Sequence, residues 1–165
     1  MDWLFVAAIG VALIGMLFVV ALDRRQVDQS LQELARLHGF RCRVSFLSSQ
    51  ATGQYRTHPV HIETFIDGSG VRGLTTSLRI TVRLTQPINF SYLDDPQAFK
   101  AGLLSSIGVR RRFEEAYPVK IDMDEKEVGV KKVGVGHSVD HLQLLLNLAI
   151  DIAQGAENYD LETAA

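Results

Sequence analysis

The chain has 165 residues, with 17 Lys+Arg against 19 Asp+Glu and a formal net charge of -2. Removing the apolar start leaves about 140 residues, enough for one domain with a substantial core. Cys42 is the single cysteine, which excludes a disulfide framework or a cysteine metal cluster within one chain. No Lys/Arg run is interleaved with stacking aromatics, so nucleic acid is not an expected partner.

Trp3 to Leu22 is an uncharged apolar stretch. At helical rise, twenty such residues cover ~30 Å, the thickness of a bilayer's hydrocarbon core. A cleaved signal peptide has a basic start, a shorter apolar run and a small-x-small cleavage site. Here only Met1 and Asp2 precede the stretch and Asp23-Arg24-Arg25 follows it. The reading is a retained transmembrane anchor over 1–22, in contact with membrane lipid through residues 3–22. Arg24 and Arg25 flank only its C-terminal side. The positive-inside rule then predicts an inner (plasma) membrane protein with its N-terminus outside and its C-terminal domain in the cytoplasm. A lone cysteine fits a reducing compartment. Ala8, Ala12 and Gly15 fall at i, i+4 and i+7, a small-residue stripe that suits packing against a second copy or a partner's helix.

Val27, Leu31, Leu34 and Leu37 or His38 line one face of a helix over 23–38, which Gly39 can end. This juxtamembrane amphipathic helix is expected to continue the span as a rod that lifts the domain, residues 39–155, off the bilayer. "FRCRVSF" alternates, with Phe40, Cys42, Val44 and Phe46 on one side and Arg41, Arg43 and Ser45 on the other. Cys42 is therefore expected to be buried and inert. "SSQATG" reads as a loop. "GQY" and "VHIETFI" read as strands around a turn at Thr57-His58-Pro59. "LTTSLRITVRL" is the clearest strand, with Leu78, Ile80, Val82 and Leu84 on one face and Arg79, Thr81 and Arg83 on the other.

Asp94-Asp95-Pro96 resembles a helix start, predicting a helix to about Tyr117 that Gly102 and Gly108 can interrupt. "VKIDMDEKEVGV" reads as a hairpin turning at Asp124-Glu125-Lys126. Ser138 caps a final helix with Leu142, Leu145, Leu146, Ala149, Ile152 and Ala153 inward. Residues 156–165 read as a frayed tail. This order predicts an α+β fold, a mainly antiparallel sheet with helices packed on one face.

"ATGQYRTHPVHIET", "TTSLRITVRLTQPINF" and "LLSSIGVRRRFEEAYPVKIDMDEKEVGV", followed by a Leu-rich helix, resemble a loosely defined group of bacterial single-span membrane-anchored α+β domain proteins. The resemblance covers most of residues 25–155. It implies an architecture and no catalytic residues, since the group has no known activity.

Candidate chemistry is sparse. "GSGVRG" at 68–73 matches Gly-x-Gly-x-x-Gly, but a period-two strand follows where a dinucleotide site needs a helix. A hairpin loop is expected instead. His58/His61 and His137/His141, with Glu63 and Asp140 nearby, lack the convergence of a zinc site. Asp122, Asp124, Glu125 and Glu127 lack a calcium loop's spacing and glycine. Ser138, Asp140 and His141 have no third partner for nucleophilic catalysis. No catalytic residue, cofactor or metal is predicted. The distinctive polar feature is Arg41, Arg43, Arg79 and Arg83, all on polar strand faces, where bidentate contacts could dock carboxylate or phosphate.

The expected function is a non-enzymatic single-pass membrane protein whose cytoplasmic domain mediates protein interactions, an accessory or assembly subunit of a larger complex. The alternatives are a module binding anionic lipid or another phosphate ligand through the Arg face, and an enzyme with an unrecognised site.

Overall fold

The computed structural model describes residues 3–45, 48–70, 73–88, 107–134 and 138–163. Side chains at 3–5, 12–14, 16, 17, 20, 68–70, 73, 74, 107 and 159–163 lie outside the described set. The expected helix start at Asp94-Asp95-Pro96, with Gly102, also lies outside the described residues, as does His137.

Helix α1 runs unbroken over Trp3–His38, so the apolar stretch and the amphipathic stretch are one element. Its second half does not raise the domain as a rod. Val27, Leu31, Leu34 and Ala35 are buried in the core against the sheet, while Leu37 faces solvent and His38 is half-buried. Gly39 ends the helix at φ 68°, a left-handed conformation that glycine adopts without strain.

Among the described residues six strands follow: β1 (Arg41–Arg43), β2 (Ser48–Tyr55), β3 (His58–Gly70), β4 (Gly73–Arg83), β5 (Lys120–Met123) and β6 (Glu127–Val133). Their order is β1-β2-β3-β4-β6-β5, with every neighbouring pair antiparallel. Between β4 and β5 lies α2 (Ile107–Ala116), and α3 (Val139–Thr163) closes the chain. The α+β class and the antiparallel sheet agree with the sequence pattern.

One sheet face carries the core. Val60 and Ile62 of β3, Leu78, Ile80 and Val82 of β4, and Val128 and Val130 of β6 are buried under α1 and α3. From α3 come Leu142, Leu145, Leu146, Leu148, Ala149, Ile150, Ile152 and Ala153. The Leu148 and Ile150 positions widen the predicted stripe, because α3 is also flanked by α1 and α2. Ser138 Oγ accepts from the His141 amide at 3.2 Å, the cap expected at this N-terminus.

Three local expectations are corrected. "SSQATG" is not a loop but most of β2: Ser49 and Ala51 are buried, and backbone pairing on both sides overrides a weak strand composition. The β2–β3 turn is Arg56-Thr57 rather than Thr57-His58-Pro59, with φ 54° at Arg56, and His58 begins β3. Residues 156–163 are no frayed tail, because α3 runs to Thr163 and buries Ala156.

Gly53 marks the tightest packing of β2. A Cβ there would lie 2.2 Å from Phe40 Cδ1, so the Phe40 ring rests on bare backbone. Gly53→Ala is therefore expected to destabilise the domain by about 1–3 kcal/mol through overpacking. Denaturant unfolding of Gly53→Ala, Phe40→Leu and the double variant checks this. The two effects should be strongly non-additive, whereas simple additivity would show that the ring does not sit there.

Candidate functional site: the open face of the sheet

Period-two alternation on a sheet with helices on one side leaves the other side to polar residues. The register places Arg41 opposite Thr52 and Arg43 opposite Gln50 on β1–β2. Gln50 in turn faces Glu63, Glu63 faces Arg79, Arg79 faces Lys131, and Lys131 faces Lys120. One row thus crosses all six strands as Arg43, Gln50, Glu63, Arg79, Lys131 and Lys120. The next row runs Arg41, Thr52, His61, Thr81, Gly129 and Asp122.

Arg41, Arg43, Arg79 and Arg83 are all exposed and share this face, which carries no helix among the described residues. They form two pairs rather than one cluster. β1 and β4 are three strand spacings apart, about 14 Å at ~4.8 Å each. Glu63 stands between them and accepts from Gln50 Nε2 at 3.4 Å. Among the described residues none of the four arginines has an ion-pair partner. Lys131 does, with Asp67 at 2.8 Å, and lies over the Phe65 ring at 5.2 Å.

At the β4–β6–β5 end the face dips, because Gly129 has no side chain. Arg79, Thr81, Asp122, Met123, Asp124, Glu127 and Gly129 line a shallow groove of about 220 Å³. Asp124 is occupied within its own turn, accepting the amides of Lys126 at 2.7 Å and Glu127 at 2.9 Å. No group of three His, Cys, Asp or Glu among the described residues could hold a metal ion. His58 and His61 cannot converge, since they lie three apart on β3 and point to opposite faces. The glycines of "GSGVRG" stand on antiparallel strands, Gly68 and Gly70 on β3 and Gly73 on β4, with Gly70 opposite Gly73, while residues 71 and 72 lie outside the described set.

Cys42 departs from expectation. Its register opposite Ala51 points it to the helix side, yet it is exposed, because three-residue β1 is an edge that the helices do not cover. Partial burial and the Asp28 charge still push its thiol above the ordinary value. Of the flanking basic pair, Arg25 is exposed but Arg24 is buried: Nη2 donates to Ser45 O at 3.3 Å and Nε lies 3.7 Å from Asp28 Oδ2. Ala8 and Gly15 of the small-residue stripe are exposed, and a Cβ on Gly15 would meet nothing within 4 Å. The side chain of Ala12 lies outside the described residues.

On the helix side, polar groups lock elements together, and sequence patterning gave no sign of these contacts. Tyr55 donates to Asn147 and accepts from Gln143, both at 3.0 Å, with His38 edge-on to its ring. His58 is buried, its Nε2 3.2 Å from Glu157 Oε2. The other Glu157 oxygen accepts the Thr85 amide and hydroxyl, both at 2.6 Å. Burial pushes this carboxyl up, but the Thr85 and His58 contacts outweigh it and hold it below its usual range. Asp151 takes both Arg56 and Arg112, tying the β2–β3 turn to α2 and α3. Lys132 donates from the sheet to Ala116 O, the last residue of α2, and burial lowers its pKa.

His141 faces Lys132 and has a buried Nε2 without a partner; burial first and the lysine charge second lower its pKa. Folding therefore favours neutral His141, and the unfolded chain takes up the proton first. The stability this group contributes is full above the ordinary value of 6.5 and is lost as pH falls through the lower folded value. Thermal unfolding should shift to lower temperature between pH 7.5 and pH 5, and His141→Leu should flatten that dependence. An equal slope in the variant would remove His141 from the account. Comparison of the chain with protein-family models, with curated proteins and with solved structures finds no match.

Proposed function

We propose that the chain is a non-enzymatic single-pass membrane protein whose cytoplasmic domain docks an acidic protein on its open sheet face. It would serve as an accessory or assembly subunit of a larger membrane complex, inserted through residues 3–22 with its N-terminus outside. The observation that carries the docking is the register: four exposed arginines without ion-pair partners share one face that no helix covers among the described residues. Guanidinium groups suit carboxylates through paired donors.

The anchor rests on the uncharged stretch and on apolar side chains that α1 leaves open, Val6, Ile9, Val11, Phe18, Val19 and Leu22. Among the described residues no helix is long and apolar enough to cross a membrane, but nine of the side chains from Trp3 to Leu22 are outside that set. Asp23 then marks the end, since a carboxylate at the centre of a span costs roughly 2.5–3.5 kcal/mol on insertion scales. Ala8, Ala12 and Gly15 are the stripe on which a second copy or a partner's helix would pack.

The direction of the face favours a protein over lipid. Asp23 reaches Thr76, Asp28 reaches Thr64, and His38 reaches Tyr55, so the second half of α1 runs along the strands. A helix standing across the bilayer then turns the open face sideways, toward neighbours in the complex and not toward headgroups.

A photo-crosslinking residue at Thr81, mid-face, tests this in native membranes, with one at Gln32 on exposed α1 as control. Thr81 should capture a protein that Gln32 does not. Arg41→Gln, Arg43→Gln, Arg79→Gln and Arg83→Gln together should abolish that adduct while leaving the fold intact, because exposed changes of this kind stay within ~0.5 kcal/mol each. Adducts with lipid alone, or an unchanged protein adduct in the quadruple variant, would overturn the reading.

A further inference from the structure

Gly129 stands in the middle of β6, opposite Thr81 of β4 on one side and Asp122 of β5 on the other. Glycine weakens a strand interior, because it has more freedom to lose and no side chain to pack, so its presence there calls for a reason. Nothing among the described residues supplies one from within the chain. The glycines with positive φ are Gly39 and Gly134, so Gly129 holds no left-handed turn. A Cβ at Gly129 would lie 3.4 Å from Asp122 O and 3.7 Å from Asp122 Cβ, ordinary van der Waals distances. Gly53 is the contrast, since a Cβ there would run into the Phe40 ring. A bare strand position with room above it is a place where a ligand or another chain comes close.

The surroundings of Gly129 give the chemistry of what comes close. The groove of about 220 Å³ is smaller than the ~300–1,000 Å³ of small-molecule sites, and suits one side chain presented by a protein. Asp122 flanks Gly129 from β5, Glu127 precedes it by two on the same face, and Arg79 bounds the groove from β4. All three are exposed, and none makes an ion pair among the described residues. Asp124, by contrast, is occupied by its own turn, and Lys131 of the next row by Asp67. Charge thus runs across the face in bands: Arg41 and Arg43 on β1, Glu63 on β3, Arg79 and Arg83 on β4, then Asp122 and Glu127 beside Gly129. β5 is two strand spacings from β4, about 10 Å.

We propose that the groove over Gly129 receives one basic side chain, a lysine or arginine, of the acidic protein that docks on the arginine face. This rests on that docking reading and adds a second sign of charge to it. Arg79 and Arg83 take carboxylates of the partner, while Asp122 and Glu127 take a cation beside them. The aliphatic stem of the basic side chain lies along the bare Gly129 backbone, with its charged end between the two carboxylates. The partner is then selected by an ordered pattern of acid and base rather than by net negative charge.

The test uses the full chain in phospholipid nanodiscs, with the backbone amide resonances of Thr81 and position 129 as reporters. The probes are a glutamate peptide with one central lysine and the same peptide with glutamine in place of the lysine. The arginines alone would favour the glutamine peptide, which is the more negative. The groove reverses this, with the lysine peptide about fivefold tighter at low salt, as two exposed ion pairs permit. Asp122→Asn together with Glu127→Gln should return the preference to the glutamine peptide. Gly129→Thr should raise Tm by about 2–4 °C, since a β-branched side chain suits a strand better than glycine, and should remove the lysine preference. If the unaltered chain prefers the glutamine peptide or binds both alike, or if either variant keeps the lysine preference, the inference fails and the arginine docking stands. A lower Tm in Gly129→Thr would show that the fold itself needs the glycine and would equally overturn the inference. Binding of neither peptide would sink the docking reading and the inference with it.

Discussion

One helix runs without a break from an open apolar stretch into the core, and the remaining architecture is arranged around that constraint. The first part of α1 is uncharged and leaves apolar side chains open, while Val27, Leu31, Leu34 and Ala35 of its second part are sealed in the core. A change of environment along one rigid element has to occur at a fixed residue, and the charges at Asp23 and Arg24 mark it. The cost of burying those charges is offset by Thr76, Ser45, Asp28 and Thr64. The helix side of the sheet changes character at that place, from Val60, Ile62, Ile80 and Val82 to buried Ser49, Thr64 and Thr76. Arg24 Nε and Nη1 still lack hydrogen-bond partners, so the boundary is a place where a substitution is felt strongly.

The other elements extend this helix's reach across the sheet. α3 packs beside α1 and over β4 and β6, and its polar side chains bind the end of the sheet where β2 turns into β3 and β4 finishes. Gln143 and Asn147 hold Tyr55, Asp151 holds Arg56 and Arg112, and Glu157 holds His58 and Thr85. Lys132 clamps the last turn of α2 from the sheet. Among the described residues the helices lie on one face, and the opposite face carries arginines placed there by strand alternation. Structural polarity and the candidate binding surface are thus separated by the thickness of the sheet, which lets the arginines be changed without disturbing the fold.

Legibility in the sequence followed how much each element depends on its own residues. β4 alternates cleanly because it is central, flanked by β3 and β6, with one face in the core. The β5–β6 hairpin and the Ser138 cap declare themselves through local turn and capping chemistry. β2 does not, since "SSQATGQY" owes its strand to partners on both sides and to a Phe40 ring that needs a glycine. Cys42 obeyed its alternation but not the burial inferred from it, because alternation assigns a face and cannot say whether a helix covers that face at an edge. The end of α3 was missed because the contacts that hold it, His58 and Thr85, are remote in sequence. The Arg face was legible as four positions on polar strand faces. Its division into two pairs, with Glu63 between them, depended on strand order, which no local pattern encodes.

The central claim of the proposed reading is that α1 passes from bilayer to core as one rigid helix. Amide hydrogen exchange on the full chain in phospholipid vesicles addresses it directly. The account predicts protection that runs without interruption from residue 6 through Leu34, including the amides of Leu22 to Gln26 at the boundary. Rapid exchange confined to Leu22–Gln26, with protection on both sides, would reveal a hinge between anchor and domain and contradict the account.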